Sequence, residues 1–65
     1  MDDLKPYVDA HERLNLSIDE AVQFCLTKIE PSNVEALKAS MKHQLTTGTV
    51  TDFSARVYRS IMDQL

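Results

Sequence analysis

Residues 17–35 read Ser-Ile-Asp-Glu-Ala-Val-Gln-Phe-Cys-Leu-Thr-Lys-Ile-Glu-Pro-Ser-Asn-Val-Glu, and they hold one helix framed by two start signals. Ser17 precedes Glu20 by three positions, and Ser32 precedes Glu35 by the same interval. Each pair is a capping box. The serine oxygen accepts from an orphan amide of the first turn, and the glutamate reaches back toward the cap. Between the two boxes, Ile18, Ala21, Val22, Cys25, Leu26 and Ile29 recur at helical spacing, opposite Glu20, Gln23 and Thr27. Pro31 closes the segment because it disfavours helical geometry at Glu30. The spacing predicts a helix over 18–30, with Leu16 outside the cap in position to staple against Ala21.

Working outward, the second box opens a helix predicted over 33–46, striped by Val34, Leu37, Met41 and Leu45. Gly48, the only glycine, follows it where a left-handed C-terminal residue is wanted. Thr51 before Asp52 starts a last helix over 52–65, with Phe53, Val57, Ile61 and Leu65 in an unbroken i+4 row. Upstream, Leu4, Tyr7, Val8, His11 and Leu14 give a weaker helical pattern over 3–14. Pro6 is tolerable there because it lies in the first turn. Threonines near Gly48 have strand propensity but no second strand to pair with. Connections of about three to five residues bring neighbouring helices together antiparallel or at a sharp corner. The expected fold is all-α: one domain over 1–65, a compact bundle of three strong helices plus a shorter N-terminal one.

The composition narrows function. At 65 residues the chain has room for one domain, and a domain of that size buries only about 60% of its unfolded surface. Its 43% hydrophobic content suffices for a core. Cys25 is the lone cysteine, so no disulfide framework exists within the chain, and stability must come from helix packing or from association. Met1-Asp2-Asp3 starts acidic, no apolar run approaches a signal or membrane segment, and a cytoplasmic protein is expected. Net charge is −3. Residues 1–30 set three cations against seven carboxylates, whereas residues 31–65 set four against three.

Chemistry-bearing residues are few. Cys25 falls between Val22 and Ile29 on an apolar face, where cysteine acts as a small hydrophobe rather than a nucleophile. His11 sits in the first helix's apolar stripe and is expected to be partly buried with one hydrogen-bond partner. His43 belongs to a solvated face. One cysteine and two distant histidines do not make a zinc site. Asp2, Asp3 and Asp9 lack the pattern of a calcium loop, and one glycine cannot build a phosphate loop. No enzyme, cofactor, metal or small-molecule substrate is expected.

Two functional readings follow. The first is a protein-interaction module: a regulator, adaptor or inhibitor acting on a larger protein or as a homodimer. At 100° per residue, Ala55, Tyr58 and Met62 widen the last helix's apolar arc to about 200°, and Phe24 lies off the centre of its own face. Phe24, Tyr58, Met62 and Leu65 are therefore the candidate contact residues, with completion of the internal core as the alternative for the first three. Small residues Ala36, Ala39 and Ser40 lie opposite the third helix's stripe, where another helix can come close. The second reading is a DNA-binding helix-turn-helix using the last two helices, with Thr51, Ser54, Arg56 and Arg59 offered to a groove. The long linker, Asp52 and an isoelectric point near 5.1 count against it.

Overall fold

The computed structural model describes residues 3–65, and within them four helices form and no strand does. They are α1 (Lys5–Arg13), α2 (Ile18–Leu26), α3 (Val34–Thr47) and α4 (Asp52–Gln64). The all-helical bundle expected from the capping signals is the observed fold. Its extents are 30 × 25 × 22 Å. Asp2, weighed above as a cation ligand, lies outside the described residues.

The helix ends follow local chemistry. Ser17 has extended backbone, and its hydroxyl accepts from the Glu20 amide at 3.1 Å. The Glu20 carboxylate turns to the Ser17 hydroxyl at 3.2 Å rather than to its amide, so the box closes on the side chain. Thr51 caps α4 in the same way through the Ser54 amide at 3.1 Å. Gly48 takes the left-handed conformation, φ 69°, and the Gly48 and Thr49 amides both turn back to the Gln44 carbonyl. Asn15 does the same work after α1. With φ 63°, it lets the Leu16 amide reach the His11 carbonyl at 2.9 Å and its own amide reach Glu12 at 3.1 Å, which makes a Schellman motif.

The Ser32 capping box is a correction. The residue at the α3 N-cap is Asn33, with no side-chain cap bond, and Ser32 is exposed. Pro31 forces the chain out of helix at Glu30, leaving backbone groups there that need partners. Asn33 carries both an acceptor and a donor. Its Oδ1 accepts from the Glu30 amide at 2.7 Å, and its Nδ2 donates to the Lys28 carbonyl at 3.4 Å. A serine hydroxyl at position 32 supplies neither arrangement. α2 ends at Leu26 rather than Glu30, and just past that end the Thr27 hydroxyl donates to the Phe24 carbonyl at 2.6 Å. The amides of Thr27, Lys28 and Ile29 bond three residues back, tightening the last turn before the proline.

The core draws on every helix: Leu4 and Val8 from the first segment, Ala21, Val22 and Cys25 from α2, Leu37 and Met41 from α3, and Val57, Tyr58 and Ile61 from α4. α4 approaches all three other helices, whereas α3 comes close to α4 alone. That difference explains the wide apolar arc of α4. A central helix buries a wider arc than a peripheral one, and its buried stripe runs Ser54, Val57, Tyr58, Ile61.

Candidate functional site

Tyr58 is a second correction. Only 1% of it is exposed, so it belongs to the core and not to a contact surface. Its hydroxyl donates to Gln44 Oε1 at 3.1 Å, and Gln44 Nε2 donates in turn to Ser40 Oγ at 3.1 Å and to Asp3 Oδ1 at 3.3 Å. This chain of polar groups ties α4 to α3 and to the start of α1. It satisfies the tyrosine hydroxyl in a place where an unpaired one would be costly. Burial, reinforced by the Asp3 and Asp9 carboxylates, raises the Tyr58 pKa well above its usual range, against the opposing pull of the Gln44 hydrogen bond. Gln44 itself went unmarked by any motif, because a lone glutamine in a helix carries no sequence signature.

Cys25 is fully buried on α2, and burial pushes its thiol up to about 11. At neutral pH it is a protonated, enclosed thiol, the reverse of an activated nucleophile. Among the described residues no group of three histidine, cysteine, aspartate or glutamate side chains could hold a metal ion. Asp9 is paired with Lys5 at 2.8 Å, a contact that raises the lysine's pKa through its hydrogen bond and charge. Asp3 accepts from the Lys5 amide at 3.0 Å.

The residues offered to a DNA groove do not form one exposed surface. Ser54 is buried, 3.1 Å from the Thr51 hydroxyl. Thr51 also donates to Glu12 Oε1 at 3.0 Å, which brings an acidic side chain of α1 to the start of α4. Arg56 is paired with Asp52 at 3.0 Å, and Arg59 is exposed. Two carboxylates at the end that would meet phosphates work against that use.

Phe24 stands apart from these. It is 39% exposed and lies at the centre of an aromatic face built by α1 and α2. The Tyr7 ring meets it edge-on at 5.4 Å between centroids, and the His11 ring lies tilted at 5.2 Å. Lys28 Nζ sits 5.1 Å from the Phe24 centroid and 5.8 Å from that of Tyr7. His11 is half-buried, and its Nδ1 donates to the Tyr7 carbonyl at 2.7 Å, a single side-chain partner among the described residues, as its place in the stripe implied. Tyr7 and Lys28 also line an adjoining cleft of about 260 Å³ with Asp3, Glu30 and Asn33. Of these partners only Lys28 was legible, one turn on from Phe24 in the chain, whereas Tyr7 and His11 reach Phe24 because α1 packs beside α2.

The other two expected contact residues sit elsewhere. Leu65 is 43% exposed at the end of α4. Met62 is half-buried and lines a groove of about 410 Å³ with Glu35, Lys38, Ala39 and Lys42 of α3. Phe24 and Met62 therefore belong to two different surfaces. Among the described residues no helix is long and apolar enough to cross a membrane. No protein-family model matches the chain, and no curated protein or solved structure matches it.

Proposed function

We propose that this chain is a non-enzymatic protein-interaction module, a small regulator, adaptor or inhibitor that docks on a larger protein through the Phe24 face. The aromatic cluster carries this reading. Aromatic side chains are enriched in interface cores and among the residues that dominate binding energy. Here three rings and one cation lie in contacts of 5.1–5.8 Å around Phe24, and those contacts restrict their side chains before any partner arrives. Ordered side chains lose little conformational freedom on docking, which leaves more of the contact energy for affinity. The bundle closes its core without these rings, so packing alone does not require them at the surface. The buried, protonated Cys25 argues against a thiol enzyme, and the buried Ser54 and acidic start of α4 argue against a helix-turn-helix reader.

Site-specific photocrosslinking in the native host tests the proposal. A photoreactive phenylalanine analogue at position 24 is expected to give one discrete adduct with a larger protein, and Tyr7→Ser is expected to abolish it. The exposed polar neighbour Gln23 serves as the control position. An equal yield of the same adduct from Gln23, or no adduct from position 24, overturns the proposal.

A further inference from the structure

The groove between α3 and the end of α4 carries an unusual arrangement of charge. Glu35, Lys38, Ala39 and Lys42 line it from α3, and Met62 lines it from α4. Glu35, Ala39 and Lys42 are exposed, and neither ion pair found among the described residues involves Glu35, Lys38 or Lys42. Glu35 and Lys42 are seven residues apart, two helical turns, so they share one stripe about 10.5 Å apart along the axis. Ala39 lies between them and presents only a methyl group, and α3 is the helix with a single close helical neighbour.

A stripe with opposite charges at its two ends suits a particular partner. A partner segment of one sign would be attracted at one end and repelled at the other. A second copy of the same stripe, running antiparallel about a twofold axis beside Lys38 and Ala39, is matched at both ends. Twofold contacts have this self-complementary property: residue i meets j, and j meets i.

We infer that this face of α3 is the interface of a homodimer, in which Glu35 of each copy pairs with Lys42 of the other. Ala39 sits near the axis and permits close helix approach, and Met62 supplies an apolar flank. Lys38 lies near its counterpart at the axis, one turn from Glu35 on its own helix, and that glutamate offsets the like-charge contact. A standard interface buries about 800 Å² per partner, close to a fifth of this chain's 4246 Å². One helix pair with a narrow apolar flank buries less, so the dimer is weak and reversible, with a dissociation constant in the micromolar range or above. The inference does not use the Phe24 face, so the failure of either proposal leaves the other standing.

Sedimentation of the intact chain from about 1 μM to about 1 mM, a span that brackets such affinities, supplies the test, with helical circular dichroism confirming that each variant folds. Wild type is expected to shift from monomer to dimer, less so at high salt. Glu35→Lys and Lys42→Glu each turn two attractions into two repulsions and are expected to raise the dissociation constant by about ten- to thirtyfold. The double variant Glu35→Lys/Lys42→Glu restores opposite charges and is expected to dimerise like wild type. A wild type that stays monomeric throughout overturns the inference. So does association that neither single variant weakens, or a double variant that fails to recover.

Discussion

Tyr58 and Phe24 make an instructive pair. Both are aromatic, both lie on amphipathic helices, and both sit off the centre of their helix's apolar stripe. Yet Tyr58 keeps 1% of its surface and Phe24 keeps 39%. Their own helices do not account for the difference. α4 is surrounded by three neighbours, so a residue well round its circumference still meets another helix. Phe24 meets the Tyr7 and His11 rings of α1 and Lys28 just past the end of α2, and these cover each other without closing over. Burial of a side residue is decided by how many neighbours its helix has.

Truncating the two rings is the sharpest way to break this contrast. Tyr58→Ala is expected to cost about 3–5 kcal/mol, as for other large core residues, which is a large share of the 5–15 kcal/mol typical of a folded domain. Phe24→Ala removes partly exposed aromatic and cation–π contacts and is expected to cost about 1 kcal/mol or less. Chemical denaturation of the two variants measures both. Equal losses would remove Tyr58 from the core.

A smaller effect comes from alkali. The Cys25 thiol is raised from an ordinary value of 9.0 to about 11 in the folded chain, because burial disfavours the thiolate. Above pH 9 the unfolded chain therefore loses its thiol proton while the folded chain keeps it. Stability is fully present below about pH 9 and falls as pH rises toward about 11, by roughly 3 kcal/mol at most. The raised Tyr58 hydroxyl adds a loss of the same sign beginning higher, above its ordinary 10.0. Unfolding midpoints between pH 9 and 10 are expected to drop in wild type and to flatten in Cys25→Ala. An unchanged slope in that variant would mean that Cys25 is not enclosed.

The smallest expected effects separate the two serine caps. Ser17→Ala removes an observed cap bond and is expected to cost about 1 kcal/mol. Ser32→Ala touches no cap bond and is expected to stay within about 0.5 kcal/mol of wild type. Thermal melts of the two variants side by side check this, and equal losses would return the α3 cap to Ser32.

Much of the bundle was legible because its signals are local. Ser17, Thr51 and Gly48 act within one turn of themselves, so residue type and spacing suffice to place them. Asn15 was equally local and was readable as a left-handed helix end, since asparagine is the usual substitute for glycine there. Ser32 misled because two cap-forming residues stand side by side, and the choice between them depends on which one the proline turn needs. For the candidate sites, Phe24 was visible as an aromatic off its helix's apolar centre. Its assembly with Tyr7 and His11 required α1 to lie beside α2.

Residue type and spacing set the four helices, several of their ends and the central positions of each apolar stripe, because hydrogen-bond capping and a 3.6-residue period act over a few neighbours. Tyr7, Leu14 and Leu65 of the expected stripes nevertheless stay exposed. The choice of α4 as the central helix and α3 as a peripheral one was made by packing across the bundle. That choice put Tyr58 inside with Gln44, left Phe24 at the surface with Tyr7, and placed Met62 beside Lys38 and Lys42. Such outcomes depend on which helices meet, and the meeting is set by the summed packing of residues far apart in the chain.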